Sequence, residues 1–449
     1  MSPATGTAFA QLSSIVGEAS YFADPAALTR YSVDGRNPGA VVRPGSAEEV
    51  AEVVRFAASE KLALIACGGR SKLGVGMPPV RYDIAVDLSR LNRVVAYDPG
   101  DLTLGVEGGM LVSALLEALR EKNQWLPLLV PWYDRATIGG ILSTNSISPL
   151  RYMFGGPRDF LLGLEFVTGD GKLCKSGARV VKSVAGYDSH KLLLGALGSL
   201  GIITRANFRT FPLPRAQRGF VASYSDAAGA LDFCRRIAQS SLKPALVEVL
   251  DPGAARIVAN PELPEGSWCV VAVAIGHEAV VERHARDLAQ LAEQSGAAAF
   301  VALTDADKKE LLGRVREFLR IVAEQYPDAA VLRTGVLPQN VTANCEKIAR
   351  LAAQNGLGCA NVVRAGATLY TVLLPGTEGT TERLEAAIRS AMSSTGGMPR
   401  AVLERCPTEI KSRVNSWGPV GPDMELMKRV KQVFDPHGIL SPGRFVGGL

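Results

Sequence analysis

Histidine is scarce in this chain, and closely spaced cysteines are missing. Its 449 residues contain four histidines and seven cysteines, the latter at 67, 174, 234, 269, 345, 359 and 406, with no C-x-x-C pair. Zinc sites and iron–sulfur clusters draw on neighbouring Cys or His ligands, so neither is expected from sequence neighbours here. The odd, scattered cysteines read as reduced thiols. No apolar run approaches the roughly eighteen residues of a membrane-spanning helix. The first basic residue is Arg30, so the charged start of a signal peptide is also missing. A cytoplasmic protein is expected, with membrane contact only through partners at the periphery of the inner membrane. The net charge of +5 is small and scattered, which excludes a basic stripe for nucleic acid. The G-x-x-x-x-G-K-[ST] phosphate loop is absent, removing the usual basis for nucleotide-triphosphate hydrolysis.

What is present is a globular composition, with 47% hydrophobic and 21% charged residues. The length is about three times that of a ~150-residue domain, so two or three domains are expected. The segment Ser46-Ala-Glu-Glu49 is a capping box, and Val50, Val53, Val54 and Ala57 follow at helical spacing. A strand from Leu62 to Cys67 then runs into a glycine loop. Further strands are expected at Asp83 to Leu88, Arg93 to Tyr97 and Leu102 to Glu107, ahead of an amphipathic helix through Leu111, Leu115, Leu116 and Leu119. Residues 127 to 160 alternate prolines and glycines around Ser143-Thr144-Asn145-Ser146 and read as mostly irregular backbone, a candidate ligand grip.

Pro212-Leu-Pro214 reads as a boundary. Beyond it, strands separated by helices, with a hairpin at Ala365-Gly366-Ala367, suit an antiparallel sheet covered by helices on one side. The expected division is 1–214, then 217–400, then a segment 401–449 folding back on the first unit. The class is α+β.

Three glycine-rich loops carry the candidate chemistry. Residues without a β-carbon let several backbone N–H groups converge on one anion, a surface suited to a pyrophosphate. Gly68-Gly69-Arg70-Ser71 follows a buried strand, as that use requires, although a plain turn has the same appearance. Thr137-Ile138-Gly139-Gly140, with Thr144, combines close backbone approach with hydroxyl groups. Gly195-Ala-Leu-Gly198-Ser-Leu-Gly201 lacks the G-x-G-x-x-G spacing and follows a helical run, which rejects a Rossmann site.

Taken together, six ordered motifs resemble the FAD-binding oxidases of the vanillyl-alcohol oxidase type. They are Cys67-Gly-Gly-Arg-Ser-Lys-Leu-Gly74, Ala136 to Asn145, Gly156-Pro-Arg-Asp159, Val181 to Asp188, Gly201-Ile-Ile-Thr204 and Asp435 to Arg444. Within that family they are most similar to FAD-binding subunits of bacterial glycolate oxidases. The resemblance covers roughly half the chain. It implies a two-part FAD-binding domain of the p-cresol methylhydroxylase (PCMH) type, a ferredoxin-like cap, and a C-terminal tail returning to the FAD domain.

It also implies site residues. Gly68, Gly69, Arg70 and Ser71 would hold the pyrophosphate through backbone donors. Gly139, Gly140 and Thr144 would line the flavin, and Ile203 would pack on the cofactor. Lys72, Leu73, Gly74, Pro131, Thr137, Ile138, Ser143, Gly198 and Gly201 are further cofactor-binding candidates. Relatives that attach flavin covalently use a histidine near the first loop, and this chain has none there, so noncovalent FAD is expected. Related dehydrogenases bind a metal through His-Ala-Gly-x-Gly-x-x-His, and the comparable stretch here is Arg364-Ala-Gly-Ala-Thr-Leu-Tyr370, so no metal is expected. Leu197 stands where many relatives have glutamate.

Oxidising a 2-hydroxy acid needs a hydride acceptor, a base and a cation for the carboxylate. Arg364 and Arg444 are the candidate catalytic cations. The implied role is an FAD-binding subunit of a glycolate-oxidase-like complex, working with a second flavoprotein subunit and an iron–sulfur subunit. The alternatives are a self-sufficient FAD-dependent dehydrogenase and a non-catalytic structural subunit, the latter suggested by Arg70 at a position where relatives have glycine or another small residue.

Overall fold

The computed structural model describes residues 3–179, 187–376, 380–393 and 401–449. Val181 to Gly186, part of one of the six motifs, lie outside the described residues, as do residues 394–400 at the expected end of the second unit.

Ser46 caps the helix Ala47–Ser59, its hydroxyl accepting from the Glu49 N–H at 3.1 Å. The Glu49 carboxylate bonds the Gly45 N–H at 2.7 Å, one residue earlier than in the usual capping box. Val50, Val53, Val54 and Ala57 are fully buried on one face. Each of these valines stabilises the fold by roughly 1.5–3 kcal/mol through apolar burial. This helix covers a four-stranded sheet ordered Tyr21–Phe22, Ala40–Val42, Ile84–Asp87, Leu64–Cys67, whose last three strands are parallel.

A second, antiparallel sheet is ordered Val94–Asp98, Thr103–Glu107, Ile202–Arg209, Leu161–Val167, Leu173–Gly177. Its core joins the helix Val112–Arg120 to the segment from Leu126 to Leu142. That segment is less irregular than the prolines suggest. It holds short helices at Ile138–Ser143, Arg151–Phe154 and Pro157–Phe160, because Thr137 accepts from the Gly140 N–H and the second glycine pair caps rather than breaks. Conversely, the helical run expected ahead of Gly195 is only a 3₁₀ turn, Ser189–Leu192. Gly195, Leu197 and Gly198 then take positive φ.

The remaining chain builds an eight-stranded antiparallel sheet, ordered Ala299–Ala302, Ala216–Tyr224, Trp268–Gly276, Leu246–Leu250, Gly358–Arg364, Thr368–Leu374, Ala330–Gly335, Ala401–Arg405. The hairpin turns at Ala365 and Gly366, both with positive φ.

Helices cover both faces of this sheet, which corrects the one-sided arrangement. Residues of Pro252–Val258, Asp305–Arg316 and Phe318–Gln325 pack with Val271, Val273 and Val331, while those of Ala227–Gln239, Glu278–Gln294 and Val341–Gln354 pack with Phe220, Ala222 and Val270. Strands apolar on both faces do not reveal by alternation that two layers are needed.

The expected segment 401–449 is divided: Ala401–Arg405 is an edge strand of the eight-stranded sheet, with Ile410 and Val414 packed beside it, and only the later part lies against the first sheet. Leu440 forms a parallel bridge to Leu64, and the Ser441 N–H donates to the Leu64 carbonyl at 2.8 Å. Polar contacts, among them the following, fix the eight-stranded unit on the first half. Glu317 accepts from the Trp132 and Tyr133 N–H groups at 2.7 and 3.2 Å, and Lys411 pairs with Asp34 at 2.9 Å.

Candidate cofactor site

The loop after the strand Leu64–Cys67 sits directly on the segment that leads into the Ile138–Ser143 helix. A β-carbon at Gly69 would lie 1.6 Å from the Arg135 carbonyl oxygen, and one at Gly68 would lie 2.1 Å from Thr137 Oγ1. Only residues without side chains allow two backbone segments to approach this closely. The next contact is equally tight: the Gly139 N–H donates to the Gly108 carbonyl at 2.6 Å, and the Gly108 N–H donates to Thr204 at 2.8 Å. The first and second glycine loops therefore share one wall.

That wall encloses a cavity of about 850 Å³, counting all empty space up to its open mouth. Gly68, Gly69, Arg70, Ser71, Lys72 and Leu73 line it, with Pro131, Thr137, Gly139, Gly140, Ser143 and Thr144. Gly198, Gly201 and Ile203 line the remainder, with Arg444. Two expected residues stand elsewhere. Ile138 is fully buried in the core beneath the second sheet, and Gly74 lines a neighbouring cavity.

Arg70 has a positive φ of 57°. Its Nη1 donates to Asp87 Oδ2 at 3.2 Å, and its guanidinium lies 4.5 Å from the centroid of the Tyr31 ring. Asp87 is 1% exposed and also accepts from the Tyr31 hydroxyl at 2.5 Å. Arg43 Nε lies 3.3 Å from the same Oδ2. Burial first, and then this hydrogen bond to Asp87, push the Tyr31 hydroxyl above its ordinary pKa. At the cavity floor, burial raises the Cys67 thiol to about 12, so it stays protonated.

Arg444 is 3% exposed, and its Nη2 donates to the carbonyls of Leu73 and Val75. It lines the cavity while bracing the first loop from behind. Arg364 does not line this cavity. It is 1% exposed on the eight-stranded sheet, pairs with Glu248 at 2.7 Å and donates to the Ile147 carbonyl at 3.1 Å.

Gly108 lines the cavity and was not singled out from sequence. Leu197, noted for standing where relatives have glutamate, lines it too, as does Ser146 of the expected ligand grip, whose hydroxyl accepts from Lys72 Nζ at 2.9 Å and lies 3.0 Å from Thr144 Oγ1. Gly108-Gly109 after the Thr103–Glu107 strand carried a signal equal to that of Gly68-Gly69. Asp87, which holds Arg70, carried none. The four histidines lie elsewhere, His190 and His284 buried and His277 and His437 outside the lining. Among the described residues no cluster of three or more His, Cys, Asp or Glu is placed to hold a metal ion. No described helix is long and apolar enough to cross a membrane.

A cavity lined by three glycine-rich backbone loops suits an anion such as a pyrophosphate. The comparisons agree. Residues 38–177 match the family described as FAD binding domain, and residues 213–398 and 415–445 match FAD linked oxidases, C-terminal domain. Over 419 residues the chain is 25% identical to glycolate oxidase subunit GlcD of Bacillus subtilis, spanning 91% of this chain and 88% of that protein. Over 199 residues it is 36% identical to a D-2-hydroxyglutarate dehydrogenase of Xanthomonas citri pv. viticola, spanning 42% of each. Its fold is similar to that of p-cresol methylhydroxylase with substrate bound, at a TM-score of 0.78 and 18% identity, over 99% of this chain and 97% of that one.

Proposed function

The chain belongs to the FAD-linked oxidases and is an FAD-dependent oxidoreductase, and from that premise we propose that it oxidises a small 2-hydroxy acid at a noncovalently held FAD. The observation that carries this reading is that Ser71 and Lys72 line both the three-loop cavity and a second cavity walled by Val331, Glu404 and Arg405 of the eight-stranded unit. Bound FAD supplies the acceptor for a hydride from the substrate carbon. The chain's own residues supply the rest. Gly68 to Ser71 hold the pyrophosphate through backbone N–H groups, with Arg444 fixing the loop. Pro131, Gly139, Gly140 and Ile203 form the apolar and backbone surfaces that exclude water from the ring system. The relatives' names, a glycolate oxidase subunit and a D-2-hydroxyglutarate dehydrogenase, support a 2-hydroxy acid as the substrate class.

Neither Arg364, which lies outside the cavity, nor Arg444, which braces its first loop, acts in this reading as a free carboxylate clamp, because each guanidinium is already engaged by protein. The word subunit in one relative's name supports a further step, in which electrons leave to a second flavoprotein and an iron–sulfur partner of a glycolate-oxidase-like complex.

The test is to purify the chain, record its flavin absorbance, and add glycolate or D-lactate under anaerobic conditions with an artificial acceptor to follow. Bleaching of the bound flavin and reduction of the acceptor are expected. A colourless protein that takes up no FAD would overturn the reading in favour of a structural subunit.

A further inference from the structure

A wide cleft of about 2390 Å³, counting all empty space up to its open mouth, lies between the two halves of the chain. It shares no lining residue with the cofactor cavity or with the second cavity of Ser71 and Lys72. Five consecutive residues separate it from the cofactor. Leu129 and Tyr133 line the cleft, Pro131 lines the cofactor cavity, and Val130 is buried. The Trp132 and Tyr133 N–H groups are held by Glu317, which also pairs with Arg316 of the cleft wall at 3.0 Å.

The floor is apolar. Leu246 and Val273 pair across neighbouring strands and are buried, while Trp125, Leu129, Ile275 and Leu312 are partly buried members of the same hydrophobic cluster. Apolar side chains left partly in water inside a concave cleft between domains are the common lining of a ligand site.

The mouth is charged. Six of the lining residues are arginine or lysine and three are acidic. Some of these are engaged with each other. Lys308, its side chain buried, pairs with Asp305 at 2.6 Å and keeps that carboxyl below its usual range, with Arg218 adding to the effect. Arg316, besides its bond to Glu317, lies 4.2 Å from the centroid of the Tyr133 ring. What is left is Arg120, Arg215, Arg218 and Lys309 against Glu278 and Glu282, all exposed. None of these six side chains has a hydrogen bond or ion pair among the described residues.

We infer that this cleft is a second ligand site, for an amphipathic anion: a hydrocarbon chain on the apolar floor, with a carboxylate or phosphate head at the mouth where Arg120, Arg215 and Arg218 offer guanidinium forks. The chain gains by leaving water and covering the apolar lining. The head gains charge-assisted hydrogen bonds from arginines that no protein carboxylate engages. A cationic head would meet four like charges against two carboxylates.

The experiment titrates the FAD-loaded protein by calorimetry with decanoate and with decyl phosphate, each below its micelle threshold. Acetate carries the head without the chain, and decyltrimethylammonium carries the chain with the opposite charge. Decanoate or decyl phosphate is expected to bind saturably and at least about tenfold tighter than both controls. Gly313 lines the cleft from the helix Asp305–Arg316, and a β-carbon there meets nothing within 4 Å. Gly313→Phe therefore fills the cleft without crowding the backbone, and is expected to weaken the anion by about tenfold or more with flavin content retained. Arg215→Gln combined with Arg218→Gln is expected to weaken it by about fivefold while leaving acetate unchanged. Both arginines are exposed, so this variant decides alone should Gly313→Phe fail to fold. Absence of saturable binding by either anion, equal binding of decyltrimethylammonium, or an unchanged anion affinity in the arginine variant overturns the inference. Recruitment of the protein to anionic vesicles without binding of monomeric decanoate or decyl phosphate overturns it in favour of a membrane surface.

Discussion

Arg70 and Asp87 are joined across 3.2 Å at the mouth of the first glycine loop, with the Arg70 guanidinium lying over the Tyr31 ring. The pair explains how an arginine is tolerated where the loop would otherwise take glycine. The guanidinium is held by a buried carboxylate that also accepts from the Tyr31 hydroxyl and forms an ion pair with Arg43.

Asp87→Asn removes the charge that holds both arginines and leaves their guanidinium groups competing for the loop. Charge-assisted hydrogen bonds of this kind contribute about 1.5–3 kcal/mol. If half of that loss reaches the cofactor, FAD affinity falls by roughly 3- to 10-fold, at about 1.4 kcal/mol per tenfold. Titration of apoprotein with FAD, followed by flavin fluorescence, measures the change, and unaltered affinity would separate Asp87 from cofactor binding.

Gly69→Ala and Gly74→Ala form a matched pair. The first places a β-carbon 1.6 Å from the Arg135 carbonyl oxygen, which cannot yield without moving the segment that carries Thr137; the second meets nothing within 4 Å. Gly69→Ala is expected to abolish FAD retention through gel filtration, and Gly74→Ala to keep it. Equal retention in both would mean that the close approach of the two loops does not shape the site.

The glycine loops were legible because a missing side chain directly after a buried strand has few uses besides close backbone approach, and Gly68, Gly69, Gly139 and Gly140 all make one or line the cavity. Ile138 was placed at the flavin by its position in a motif, yet a residue next to a helix cap alternates with its neighbours between cavity and core, and this one falls in the core. The ion pairs of the eight-stranded sheet, Arg333 with Glu404 and Arg364 with Glu248, were invisible for a different reason. Arg333 comes opposite Tyr370 in one pairing and opposite Val402 in the next, and Glu248 opposite Arg364 in a third. A lone polar residue in a strand reads as a solvent-facing position until the register of its partners is known.

Asp435 is 2% exposed and collects three donors: Lys431 Nζ at 2.6 Å, the Leu440 N–H at 2.9 Å and the Ile439 N–H at 3.1 Å. Lys431 also donates to the carbonyls of Ser199 and Leu440, so this carboxylate and its lysine tie the C-terminal segment to the third glycine loop. Asp435→Ala leaves the lysine without a counter-charge and is expected to destabilise by about 3–5 kcal/mol, the usual result of breaking a buried pair from one side. Thermal melting should show a transition lowered by several degrees, together with earlier release of flavin fluorescence. A melt that falls without early flavin release would mean the tail stabilises the fold but does not secure the cofactor loop.

His190 gives the protein a pH response away from the site. It is 2% exposed, its Nδ1 lies 3.0 Å from Ser176 Oγ, and its Nε2 is buried without a hydrogen-bond partner among the described residues. Burial lowers its pKa below the ordinary 6.5; Asp188 opposes this, and Lys191 and Arg158 add to it. The sign follows from linkage: the unfolded chain takes up the proton first as pH falls, so the stability from the neutral, buried ring is present above pH 6.5 and is lost as pH drops through the lowered folded value. Denaturant midpoints at pH 7.5 and 5.5 should therefore differ more in the parent protein than in His190→Gln, which cannot titrate. Identical differences in the two proteins would assign the acid sensitivity to other groups.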